Sequence, residues 1–160
     1  MKTKVGVVVI ILLALAMPIW ADVKQEDVNK LALGIIKNGT PRPENLMIYV
    51  QIIEPTYKVE KRYYASVWFI VTQKGLVPAK MFFSEEQWVK EGDKYTILQY
   101  IIGDIYMDGL PDVGVQATLI EKLDGEVLEH TTVALSKEDR ETKHRELFYK
   151  FFAVVTATSL

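Results

Sequence analysis

YKVEKRYYASVWFIVTQ, Tyr57 to Gln73, is the stretch whose reading decides the fold. Tyr63, Ala65, Val67, Phe69 and Val71 alternate with Tyr64, Ser66, Trp68 and Ile70, so the side-chain period is two and the backbone is extended. Both sets are rich in β-branched and aromatic residues, which suit a pleated surface. The stretch predicts one long strand, or a hairpin bent near Lys61-Arg62.

The same period continues on either side. LMIYVQII (46–53) and YTILQYII (95–102) place apolar residues on both faces, the pattern of strands covered on two sides. Lys74-Gly75 marks a turn into a short strand, LVPAKMFF. SEEQWVKEGDK opens with a Ser-x-x-Gln capping box, which predicts one or two helical turns. GVQATLIEK and EVLEHTTVAL, joined by a turn at Asp124-Gly125, predict an antiparallel hairpin.

Helical periodicity appears only outside this strand-rich middle. Val28, Leu31, Ala32, Ile35 and Ile36 recur at spacings of three and four. Glu26 and Asp27 lie in the first turn and Lys37 in the last, and Asn38-Gly39 offers a left-handed stop, which predicts a helix over 24–38. The two prolines of GTPRPEN make a rigid connector. Ser136 is positioned to cap a final helix whose first half, KEDRETKHRE, is polar, with Glu141 and Arg145 spaced to pair. Its second half sets Phe148, Phe151, Phe152 and Val155 on an apolar stripe. The order helix, strands, helix predicts an α+β fold: one domain, residues 22–160, with a mostly antiparallel sheet of five to seven strands and an N-terminal and a C-terminal helix packed on it.

Residues 1–21 have the layout of a secretory signal peptide: Lys2 and Lys4, the apolar run Val5–Ala16, the helix-breaking Pro18 and the small Ala21. Cleavage is expected after Ala21, with Ala14-Leu15-Ala16 as a competing site. The alternative is an uncleaved membrane anchor, for which the run is short. Both readings put the domain outside the cytoplasm, periplasmic or secreted in the first case and membrane-anchored in the second. The formal net charge of −2 gives no pull towards nucleic acid or anionic lipid. The chain has no cysteine, which excludes disulfides, a thiol nucleophile and lipoprotein-style acylation.

GDIYMDGLPDVG, Gly103 to Gly114, is the stretch whose spacing hints at chemistry. With Asp104 at loop position 1, Asp108 falls at 5, Gly109 at 6 and Asp112 at 9. Over nine residues this resembles the D-x-D-x-D-G-x-x-D core of EF-hand and dockerin calcium loops. Tyr106 and Val115 stand where that resemblance implies two further carboxylates, so a calcium ion would rest on Asp104, Asp108 and Asp112 with water or a distant glutamate. Asp108-Gly109 and Pro111-Asp112 are also ordinary turn residues, and the turn is the leading expectation.

Tyr64 and Trp68 share a strand face beside Lys61 and Arg62, and would stack on a ligand if that face is open; the competing role is sheet core. Phe148, Phe151 and Phe152 could meet a partner, although core packing is the more economical use. His130 and His144 lack any metal-ligand spacing, and no nucleophile elbow, phosphate loop or dinucleotide fingerprint occurs. Glu129-His130 beside Thr131-Thr132 is the nearest thing to acid–base chemistry. The expected function is therefore an exported, soluble, non-enzymatic domain that binds a ligand or a protein partner through its sheet or C-terminal helix, with contact to a membrane only if the N-terminal segment is uncleaved. Two alternatives stand beside it: a calcium-stabilised extracytoplasmic domain using the loop 104–112, and a small hydrolase with an unfamiliar site.

Overall fold

The strands follow one another in space in their order along the chain. The computed structural model describes residues 21–157, so the signal-peptide or anchor reading of residues 1–21 lies, apart from Ala21, outside the described residues. Helix α1 (Gln25–Asn38) is followed by strands β1 (Thr40–Arg42), β2 (Met47–Pro55), β3 (Val59–Thr72), β4 (Gly75–Glu91), β5 (Lys94–Asp104), β6 (Val113–Lys122) and β7 (Val127–Ala134). Helix α2 (Lys137–Ala157) closes the chain. All seven strands pair antiparallel with their sequence neighbours in one meandering sheet. The α+β expectation is met: one domain, with a helix from each end of the chain.

Both helices lie on one face. Val28, Leu31 and Ile35 of α1 and Leu147, Phe148 and Phe151 of α2 are fully buried against Ala65, Val67, Met81, Phe83 and Ile102 of the sheet. Phe83 sits at the centre, with its ring 6.1 Å from those of Phe148 and Phe151. The helices also meet each other: a Cβ on Gly34 would lie 2.1 Å from Val155 Cγ1, so only glycine permits that approach. Charged groups seal the margin of the layer. Lys143 of α2 meets Glu85 and Glu146, each at 3.0 Å. Lys150 lies 2.6 Å from Glu54, which also accepts the Tyr63 hydroxyl at 3.1 Å. Burial works against the Lys143 charge, but its bonds to Glu146 and Glu85 outweigh that and raise its pKa.

Three local expectations change. SEEQWVKE is strand, because β4 runs unbroken through it and pairs with β3 on one side and β5 on the other. Its period of two is hidden in the sequence because the inward Glu85 occupies a position an apolar residue would normally fill, with Lys143 as its partner. Gly39 is not left-handed: its φ of −82° is extended. Glycine is required there because a Cβ would fall 2.5 Å from Ile35 O and 2.8 Å from Tyr49 O. Glu141 meets Lys137 at 3.8 Å, one turn in the direction opposite to Arg145. The cap on α2 forms as read, with the Asp139 amide donating to Ser136 Oγ at 3.1 Å.

Truncation of the central aromatics tests this packing. Phe151→Ala removes a fully buried ring and is expected to lower stability by about 3–5 kcal/mol. Phe152→Ala, at a half-buried ring stacked on Phe148, is expected to cost clearly less. Urea midpoints of the two variants give the comparison.

Candidate functional site

The pairing register assigns every strand residue to a face. Tyr63, Ala65, Val67, Met81 and Phe83 point to the helices, so Tyr64, Ser66, Trp68, Phe82 and Ser84 point away from them. Tyr49 and Gln51 of β2, and Ile97 and Ile101 of β5, join this second face through their partners. No helix among the described residues covers it, yet it is not a polar surface. This explains why β2 and β5 read as apolar on both sides: one set meets the helix layer, and the other lines an open face.

The upper half of that face forms a groove of about 590 Å³, within the range of small-molecule sites. Phe82 and Ile101 make its apolar floor, and Ser66 and Ser84 add hydroxyls beside them. Trp68 and Tyr64 rise from alternate positions of β3. The Trp68 ring meets Phe82 edge-on at 6.0 Å, and its indole N–H donates to Ser66 Oγ at 3.1 Å. Tyr64 OH accepts from Gln51 Nε2 at 2.9 Å, and Tyr49 tilts against it with ring centres 6.5 Å apart. Burial, helped by Glu86, raises the Tyr64 pKa, so its hydroxyl stays protonated at neutral pH.

The charges of the groove are unequal in their freedom. Glu86 accepts from Trp88 Nε1 and from Gln99 Nε2, both at 2.9 Å, which occupies its two oxygens. Arg42, 5.1 Å over the Tyr49 ring, and Lys80 are in no ion pair with an acid among the described residues. A second depression of about 620 Å³ lies at the other end of the face. Its Arg62 is already engaged, 4.2 Å over the Trp88 ring and paired with Glu60.

The aspartate loop is a turn built from carboxylate-to-backbone bonds. Asp104, 1% exposed, accepts the amides of Asp108 at 3.1 Å and Gly109 at 2.9 Å. Asp112 accepts the Ile105 amide at 2.7 Å, and Asp108 accepts that of Leu110 at 2.9 Å. Gly109 has φ +88°, and a Cβ on it would lie 2.8 Å from Val23 O. Burial raises the Asp104 pKa, with the amides of Gly109 and Asp108 opposing. Among the described residues no group of three or more His, Asp or Glu side chains is arranged to hold a metal ion.

The remaining candidates separate widely. Phe148 and Phe151 are core residues, 1% and 0% exposed, and Phe152 packs half-buried against the same cluster. Tyr64 and Trp68 alone of the sequence candidates come together in a groove. His130 stands exposed on the edge strand β7, with Thr132 Oγ1 3.1 Å from its Nε2. His144 is buried between Phe83, 5.5 Å away edge-on, and Phe148, and its two ring nitrogens have no hydrogen-bond partner among the described residues. The polar sequence around His144 gave no sign of this; its spacing of four from Phe148 could have. Arg42, Lys80 and Phe82 were also missed, because β1 and β4, far apart in the sequence, bring them to one place beside Trp68 of β3. Comparison with protein-family models, with curated proteins and with solved structures finds no match to this chain.

Two measurements follow from the loop and the buried ring. Asp104→Ala leaves two amides without their acceptor and is expected to cost about 1–3 kcal/mol for each that stays buried. Melts of the parent chain with calcium and with chelator are expected to coincide, and a calcium-dependent rise lost in Asp108→Asn would favour the metal instead. His144 titrates near 4 in the fold against 6.5 for a free imidazole, chiefly through burial and then through Arg145, with Asp108 and Asp112 opposing. Between those values the unfolded chain binds the extra proton, so stability falls as pH drops from 6.5 to about 4, by on the order of 3 kcal/mol. His144→Leu is expected to flatten that part of the profile, read from urea midpoints at neutral and acid pH.

Proposed function

We propose that this protein is an exported, non-enzymatic binding domain that takes a small molecule on the open face of its sheet. The ligand has a flat apolar body and an anionic group. The observation that carries this reading is the groove itself, apolar, aromatic-lined and about 590 Å³, which the helices of the described residues leave open while they cover the opposite face. Burying such a surface is favourable by about 25 cal/mol per Å² of apolar area. Arg42 and Lys80, without acidic partners among the described residues, supply the complement to an anion. The aromatic rings sit on strands, so they are held in place before the ligand arrives. Export rests on the order of basic start, apolar run, Pro18 and Ala21 in the sequence.

The probe 1-anilinonaphthalene-8-sulfonate has the required shape, an aromatic body with one sulfonate. It is expected to bind with one-site saturation, read by its fluorescence. Trp68→Ala and the double change Arg42→Ala with Lys80→Ala are each expected to weaken binding roughly tenfold, which corresponds to about 1.4 kcal/mol. Leu128→Ala, on the exposed edge strand, is expected to leave it unchanged. Affinity that is insensitive to Trp68→Ala would overturn the assignment of the groove.

A further inference from the structure

At one end the sheet runs out past its helices: α1 reaches as far as Pro78, which shares a depression with Ala32 and Ile36. β2 pairs with β3 as far as Trp68, with one further bond from the Phe69 amide to Leu46 O at 2.8 Å, and β5 pairs with β4 as far as Met81. Beyond those points β3 and β4 continue as a two-stranded arm, Phe69 with Pro78 and onward to Thr72 with Gly75. Phe69 at its base packs against the core, but beyond it the arm is apolar on both faces and its side chains are exposed. Ile70, Val71, Leu76 and Val77 are 51%, 68%, 59% and 42% exposed. Asp104 pairs with Met81, so the loop that follows leaves the sheet at the base of the arm. That loop adds Tyr106 and Leu110, 76% and 62% exposed. Large apolar side chains scattered singly need no explanation, but a contiguous group at one end of a molecule marks an interaction surface.

A second, independent observation indicates what covers it. The chain reaches the fold at this same end: Val23 lies against Gly109, and Gln25 Nε2 donates to Met107 O at 2.8 Å. Tyr149 OH donates to the carbonyl of Asp22 at 3.2 Å, which fixes the point of arrival. The sequence immediately upstream contains the apolar run Val5–Ala16. Lys74 in the turn of the arm and Lys80 at its base add cations beside the apolar residues, an arrangement suited to the boundary between acyl chains and headgroup phosphates.

Resting on the uncleaved-anchor reading of that segment, we infer that this end of the sheet rests on a lipid bilayer, with the apolar tip of the β3–β4 arm in the interfacial layer. The surface shares Lys80 with the groove, but its test reads the tip of the arm alone, so either assignment can fail without the other. It adds a docking surface to the domain itself, where the N-terminal segment alone would supply only a tether.

The absence of native cysteine makes the test direct. Leu76→Cys and Tyr57→Cys variants of the full-length chain are labelled with an environment-sensitive nitrobenzoxadiazole dye and reconstituted with phosphatidylcholine–phosphatidylglycerol vesicles. Tyr57 lies in the turn at the opposite end and is 97% exposed. The dye at position 76 is expected to brighten several-fold, shift to the blue and be quenched by brominated lipid, while the dye at position 57 does none of these. Equal emission at the two positions in vesicles would overturn the inference. So would a blue-shifted dye at position 76 before lipid is added, because the arm would then be covered by protein, a second copy included.

Discussion

Among the described residues both helices pack on the same face of the seven-stranded sheet, and much of the rest of this structure follows from that placement. The helices are drawn together at Gly34 and Val155, where the missing side chain allows backbones to approach closely. Packed in this way, they bury the stripe that runs from Ile52 through Ala65, Val67, Met81 and Phe83 to Ile102. The opposite face, the outer strand β7 and the tip of the projecting arm are left without a covering layer among the described residues. An apolar body of sequence with too few helices to cover it necessarily presents apolar surface to its surroundings.

The covered face is polar at its margins in a way that ties helix to sheet. Glu85 and Glu54 rise from the sheet beneath α2, and Lys143 and Lys150 descend to meet them. Lys150 also lies 4.1 Å over the Tyr63 ring and Lys143 lies 4.8 Å over that of Tyr100. Burial and the neighbouring acids Glu54 and Glu85 raise the Tyr63 pKa, which keeps its hydroxyl a donor to Glu54. Removing one member of such a pair leaves the other charge half-buried without compensation, which costs more than the pair itself contributes. These contacts set the position of α2 along the sheet, and with it the burial of His144.

On the uncovered side, side chains satisfy one another laterally. Glu86 draws in Trp88 and Gln99, Gln51 holds Tyr64, and Ser66 holds Trp68. Ile97 and Ala117 are 4% exposed even here, beneath their neighbours. The face is thus ordered without being covered by a helix of the described residues, and its cations Arg42 and Lys80 are in no ion pair among those residues. The aspartate loop shows the reverse economy. Its three carboxylates accept backbone amides of the turn that carries them, and the same turn holds the incoming chain at Val23 and Gln25.

Local chemistry made much of this legible. The alternation in Tyr57–Gln73, the spacing of Val28, Leu31 and Ile35, and the cap at Ser136 are rules about neighbouring residues, and each held in the fold. SEEQWVKE misled because a buried Glu85 is explained only by a lysine 58 residues away. The two-sided apolarity of LMIYVQII and YTILQYII was visible, but its meaning was not, since sequence cannot say which of two apolar faces a helix will take. By itself, then, the sequence determined the kinds of element, their order and the antiparallel class of the sheet. Tertiary structure decided which face was covered, that Tyr64 and Trp68 meet Arg42 and Phe82 in one groove, and that Phe148 and Phe151 are spent in the core. The physical reason is range: periodicity is written in neighbours, whereas a site is assembled by pairing strands that lie far apart in the chain.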